Sequence, residues 1–173
     1  MSDAILRWLH VLAGIMWIGL LYYFNFVNVD AVKAATAAGE AAPIVKYVVP
    51  RALLFFRWAA VVTWIFGAAL LGTLPAPNGG NGFAAALLLQ GQLAPIGIGA
   101  WLGTIMLINV WTFIWMNQKK ILGYTPATDE EKVKARRVAF LASRTNTMLS
   151  IPMLFFMATG FHHQNGIYNI FVR

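Results

Sequence analysis

Four stretches of mostly apolar residues run through the sequence, at about 4–28, 52–75, 94–117 and 138–161. At about 1.5 Å of rise per helical residue, each is long enough to cross a hydrocarbon core about 30 Å thick. The pattern predicts an all-α fold, an integral membrane four-helix bundle that forms a single domain over 1–173. The first stretch is too long for a signal peptide and has no basic segment before it, so we expect it to be retained as a helix.

Composition narrows the chemistry open to such a chain. Hydrophobic residues make up 60% of the sequence and charged residues 11%, against about half and about a quarter in soluble domains. There is no cysteine, which excludes disulfides, iron–sulfur clusters, thiolate-held zinc and a covalently attached c-type haem. Any metal or cofactor must therefore be held by histidine, methionine or oxygen ligands.

The net charge is +7, and the distribution of the basic residues among the loops predicts how the chain is oriented in the membrane. The first loop is basic, the second loop (76–93) carries no charge, and the third loop is the most basic. The basic residues of the two charged loops are Lys33, Lys46, Arg51, Lys119, Lys120, Lys132, Lys134, Arg136 and Arg137. Because basic loops stay in the cytoplasm, we expect both termini and the second loop to face the periplasm of a bacterial inner membrane. These residues form no continuous stripe on a soluble fold, so nucleic acid is not an expected partner.

An imidazole lies inside the first apolar stretch. Ionisable groups within such helices are costly and are interpreted first as functional. His10 lies about 9 Å below the outer end of its stretch, and Gly14 and Trp17, at i+4 and i+7, share its helix face. Because glycine has no side chain, this helix face has room for a flat macrocycle. We expect His10 to be an axial ligand of haem b, while a hydrogen bond from His10 to a neighbouring helix remains the alternative.

A second ligand is expected from the end of the fourth stretch. His162 and His163 lie there, on the same outer side as His10. A bis-histidine haem between the first and fourth helices follows, with His10 and His162 as the metal ligands. Met157 is an alternative ligand at a depth closer to His10. The two terminal histidines could instead lie at the membrane interface without a ligand.

A polar group is expected nearer the cytoplasmic side. It comprises Arg57, Asn109, Arg144 and Asn146, whose depths agree to within about one helical turn. None of the four stretches contains Asp or Glu. Backbone carbonyls, water or lipid phosphate could satisfy the two arginines by snorkelling. Alternatively, they hold an anionic ligand or a haem carboxylate through the bidentate geometry of the guanidinium.

Segments of all four stretches resemble a known family. "LHVLAGIMWIG", "LLFFRWAAVVTWIFGAALL", "INVWTFIWMNQKK" and "RTNTMLSIPMLFFMATGFHH" are similar to the membrane part of bacterial cytochrome-c-linked urate hydroxylases. Members of that family have more transmembrane helices and end in a cytochrome c domain. Here Thr145 stands in the Arg-x-Asn motif where a histidine is expected in that family. The opening motif, in which His10 is followed seven positions later by Trp17 and then by Gly19, also resembles a motif of four-helix haem-binding protoporphyrinogen oxidases and of copper-resistance D membrane proteins.

The resemblance implies a haem-binding membrane module. It points to His10 as axial ligand, to Arg57, Arg144 and Asn146 as polar site residues, and to a membrane oxidoreductase or electron carrier. With no cysteine, the chain would need a separate acceptor, a periplasmic cytochrome c or a larger membrane complex. Two other functions stay open. One is a non-catalytic accessory subunit of a respiratory or photosynthetic complex, with lipid in its grooves. The other is a copper-handling protein using His10, His162, His163 and Met157.

Overall fold

The computed structural model describes residues 3–77 and 79–160, and this part of the chain is all-helical without a β-strand. The all-α class predicted from the apolar pattern is confirmed. Four long helices, here called the first to fourth helices, make up nearly all of it. They span Asp3–Ala37, Ala41–Gly72, Gly91–Ile121 and Asp129–Thr159. A short helix, Gly82–Leu87, lies in the loop between the second and third helices.

The first three helices are long and apolar enough to cross a membrane. The fourth is as long, at 31 residues, but its first half is rich in charged and polar side chains. The first three helices also extend beyond their apolar stretches toward the basic loops. The first, for example, continues to Ala37 because "VDAVKAATA" contains good helix formers and no glycine or proline.

Consecutive helices form antiparallel neighbours. The first helix packs mainly against the second, and the third against the fourth. Short turns connect each pair, and Gly39 and Gly123 supply the positive φ angles, 76° and 79°, that these turns require. The two pairs meet in a common core that includes Trp17, Phe56 and Met106.

The fourth helix begins at a capping box. The Thr128 hydroxyl accepts a hydrogen bond from the Glu131 backbone N–H, and the Glu131 carboxylate accepts one from the Thr128 N–H, at 3.2 and 2.8 Å. This exchange satisfies two of the backbone donors that a helix start leaves open. It fixes where the charged segment becomes helical.

Three π-helical segments interrupt the regular hydrogen bonding of the long helices. They are Tyr23–Asn28, Ile44–Val48 and Val110–Trp115, and all lie toward the basic ends of their helices. Such segments are rare in proteins overall, but where they occur they often lie at functional sites. These segments contain Asn25, Trp111 and Trp115. Asn25 makes polar contacts, and the two tryptophans make cation–π contacts, that are described below.

Candidate functional sites

His10 lies in the seam between the first and second helices. Its Nδ1 is 2.8 Å from the backbone carbonyl oxygen of Thr63. A carbonyl oxygen only accepts, so Nδ1 carries the proton and donates. The neutral ring then has its lone pair on Nε2, the form in which histidine binds a metal. No other hydrogen bond of this ring is found within residues 3–77 and 79–160.

Glycine makes the room for this ring. A β carbon on Gly67 would lie 2.8 Å from His10 Cε1 and 2.9 Å from Nδ1, so only glycine fits beside the imidazole. Gly14, one turn along the first helix, is less constrained, because a β carbon there would meet the Thr63 methyl at 3.7 Å. His10 and Gly14 thus face the second helix, whereas the bis-histidine haem was expected between the first and fourth helices.

The arrangement around His10 is one in which a histidine can hold a metal. A metal-bound histidine usually donates its other ring N–H to a carbonyl or carboxylate, as His10 does to Thr63. Trp17 is buried on the same helix, and its Nε1 finds no acceptor among the described residues. Within those residues no group of three or more histidine or acidic side chains could hold a metal ion.

The other predicted ligands are placed differently. Met157 packs against the third helix, where a β carbon on Gly99 would lie 3.4 Å from its side chain. His162 and His163 lie outside the described residues.

Two of the predicted polar residues meet directly. The Asn109 Nδ2 amide donates to Asn146 Oδ1 at 2.7 Å and to the Ala142 carbonyl at 2.8 Å. The fully buried Asn146 in turn donates to the Met106 carbonyl at 3.1 Å. Each amide thus donates to an acceptor on the other helix, and the third and fourth helices are joined by these bonds.

The first helix extends this polar layer with residues that sequence reasoning missed. Buried Asn25 donates to the Ser143 hydroxyl at 2.7 Å and to the Leu21 carbonyl at 2.8 Å. The hydroxyls of Tyr22 and Ser150 lie 3.0 Å apart. The signal was present in the sequence, because Asn25 lies in an apolar stretch just as Asn109 does.

Arg57 lies on the opposite side of the third helix from this layer. Its guanidinium carbon is 3.6 Å from the ring centre of Trp115 and 5.9 Å from that of Trp111. Arg57 Nε is buried and has no hydrogen-bond partner in the described part of the chain. Arg144 is instead exposed on the fourth helix, 5.2 Å from the ring centre of Phe140. The two arginines thus stack on different rings, and only the two asparagines are in contact.

A cavity of about 240 Å³ opens beside Arg57, at the basic ends of the second and third helices. Residues of the second helix and of the end of the third helix form its wall. They are Pro50, Arg51, Leu54, Arg57, Trp115 and Tyr124. The cavity therefore combines two guanidinium groups with aromatic and apolar surfaces.

The family described as "Urate oxidase N-terminal" matches residues 79–169, more than half of the chain. No curated protein and no solved structure matches.

Proposed function

The chain belongs to the urate oxidase N-terminal family, and from this premise we propose that it is a membrane protein that binds haem b through His10. It acts in electron transfer or in oxidation of a substrate, with a separate periplasmic cytochrome c or a larger membrane complex as electron acceptor. All four long helices cross the bacterial inner membrane, with both termini in the periplasm.

The hydrogen bond between His10 Nδ1 and the Thr63 carbonyl is the one expected if His10 only bonds a neighbouring helix. It also leaves Nε2, the atom that would bind iron, without a hydrogen bond in the described residues, and the haem proposal rests on this observation. The bond to Thr63 holds the imidazole in one tautomer and one orientation. The second helix therefore positions a ligand that the first helix supplies. Gly67 is the complementary element, since any larger residue would push the ring away from Thr63.

When bound, haem would supply one-electron redox chemistry at its iron. The protein's own contribution is positioning and exclusion of water. Thr63 keeps the His10 proton on Nδ1, and buried Trp17 and Leu21 keep the inner part of the seam apolar. A less hydrated surrounding shifts a haem potential, so these residues would also adjust the driving force of transfer.

The position of His10 fits an acceptor in the periplasm. His10 lies near the start of the first helix, whereas the basic turns lie at the other end of the bundle. In the proposed orientation, with the basic loops in the cytoplasm, the histidine lies on the periplasmic side. An electron leaving a haem there would have the shorter path to a periplasmic partner.

An absorbance spectrum of the full-length protein, purified from membranes of haem-supplied cells, tests this proposal. We expect a Soret band, with sharp α and β bands on reduction, and its loss in His10→Ala. Gly19→Ala, on the same helix, is the matched control and should keep its haem, since a β carbon there would meet nothing within 4 Å. A full haem complement in His10→Ala would refute the ligand assignment. Stoichiometric copper without haem would favour the copper-handling function, and neither cofactor would favour an accessory subunit.

The second axial ligand is tested by changing the candidates one at a time. His162→Ala, His163→Ala and Met157→Leu are compared by electron paramagnetic resonance of the oxidised protein. The variant that loses the second ligand should change from a low-spin to a high-spin signal. An unchanged signal in all three would place the second ligand elsewhere and refute the bis-histidine and the His–Met arrangements.

A further inference from the structure

We propose that the cavity between the basic ends of the second and third helices, lined by Arg51, Arg57, Trp115 and Tyr124, binds a phosphate oxyanion. Neither the family match nor the haem proposal assigns a role to this cavity.

The Arg57 guanidinium is positioned as a hydrogen-bond donor without an acceptor. Its face lies against Trp115, with 3.6 Å between the guanidinium carbon and the ring centre. Stacking of this kind covers a face of the planar group and leaves its N–H edge available for bidentate binding of an oxyanion. Because Nε is buried and unpaired in the described residues, the guanidinium carries a desolvation cost, and an acceptor that binds its other N–H groups from the cavity would offset part of that cost.

The charge of the cavity is unbalanced. Arg51 and Arg57 both line it, and no acidic residue does. Within residues 3–77 and 79–160 the one salt bridge joins Lys132 to Asp129, so neither arginine is neutralised by a carboxylate there. Two permanent positive charges beside low-dielectric aromatic walls attract an anion more strongly than they would in open water.

The walls favour phosphate attached to an apolar body. The exposed Tyr124 lies at the rim, with its ring centre 6.2 Å from that of Trp115, and its hydroxyl is a further donor. Pro50 and Leu54 provide an apolar side, and Leu54 is 42% exposed. A volume of about 240 Å³ is below the range of about 300–1,000 Å³ for sites that enclose a drug-sized ligand. The cavity is thus sized for a headgroup whose remainder lies outside.

Phosphate can reach this site from an anionic phospholipid or from solution, and both sources offer the same oxyanion. The experiment separates them. The detergent-purified full-length protein is titrated with phosphatidylglycerol, and bound lipid is counted by native mass spectrometry. We expect one lipid per chain to be retained more tightly than the rest, with its affinity lowered about tenfold or more in Arg57→Gln.

Arg144→Gln is the matched control. It removes the same charge from an arginine that also stacks on an aromatic ring, but one that is exposed and lies outside the cavity. Its lipid count should match that of the unchanged protein. Arg51→Gln alters an exposed cavity residue and provides a second test if Arg57→Gln fails to fold. Equal retention in the cavity variants and in Arg144→Gln would overturn the proposal.

Inorganic phosphate is the second probe. Retention of phosphatidylglycerol in excess inorganic phosphate would support the lipid source. Displacement of the lipid by inorganic phosphate, together with Arg57-dependent phosphate binding, would support a soluble source at the same site. The Soret band of Arg57→Gln is recorded in parallel, and we expect it to be unchanged. Failure of the haem proposal would then be distinguishable from failure of this one.

Discussion

Gly67 lies directly against the imidazole of His10, and a β carbon at position 67 would come within 2.8 Å of the ring. The second helix therefore sets where the histidine of the first helix can point. The same helix also accepts the ring proton, at the Thr63 carbonyl. One seam thus controls both the orientation and the tautomer of the proposed ligand.

Gly67→Ala should displace the ring and break its bond to Thr63. Overpacking of this kind costs about 1–3 kcal/mol of stability. The variant should unfold earlier in a detergent melt and bind haem more weakly. Gly14→Ala is the control, since its methyl would make an ordinary 3.7 Å contact with Thr63. Equal stability of the two variants would contradict the packing of this seam.

Asn146→Leu should weaken the contact between the third and fourth helices. The change removes the acceptor of Asn109 and the donor to the Met106 carbonyl, while nearly preserving volume. Interhelical hydrogen bonds of this kind are worth about 0.6–2 kcal/mol in membrane helices. Reversible unfolding in mixed micelles measures the loss. Thr145→Ala, which removes an exposed hydroxyl bonded only to Leu141 of its own helix, should change stability by less than about 0.5 kcal/mol.

Gly97→Ala should be more damaging than Gly103→Ala, although both glycines are buried on the third helix. A β carbon on Gly97 would collide with the backbone carbonyl of Ala86 in the short helix, and a backbone atom cannot move aside cheaply. A β carbon on Gly103 would meet nothing within 4 Å. Thermal unfolding of the two variants provides the comparison. A lower midpoint for Gly103→Ala would contradict it.

Acid should loosen the start of the fourth helix. The hydrogen bond from the Thr128 backbone N–H, helped by the charge of Lys120, lowers the pKa of Glu131. A carboxyl group with a lowered folded-state pKa stabilises the fold above its unfolded pKa, and this contribution is lost as the pH falls through the folded value.

Hydrogen exchange of the amides of Thr128 and Glu131 should therefore accelerate below a pH of about 4, beyond the intrinsic change of the exchange rate. Thr128→Ala, which removes the other half of the box, should cost about 0.5–2 kcal/mol and reduce this pH dependence. Exchange that shows no such acid-dependent opening would contradict the role of the Glu131 carboxylate.

Sequence reasoning was strongest where one physical rule dominates. Burial of apolar surface over a fixed thickness predicts the long helices, and helical periodicity predicts that His10 and Gly14 share a face. Periodicity does not determine which neighbouring helix that face packs against. That face packs on the second helix because Gly67 leaves a gap of the right shape there, and shape complementarity between distant residues is not contained in periodicity.

The arginines illustrate the same limit. Equal depth suggested that Arg57 and Arg144 belong to one site, but depth leaves the rotation of each helix undetermined. Arg57 faces two tryptophans of the third helix, and Arg144 projects from the exposed side of the fourth. The π segment Val110–Trp115, which brings those tryptophans to Arg57, has no reliable sequence signature.

The π segment Val110–Trp115 also determines where the third helix can lose one residue without changing which way its side chains face. A residue removed from a regular α-helix turns everything beyond it by about 100° and moves buried side chains off their contacts. A π turn already holds one residue more than the regular ladder needs, so a deletion within it restores that ladder and preserves the facing of both flanks. Relatives that are one residue shorter should therefore carry their gap between positions 110 and 115, with Asn109 still directed at the fourth helix.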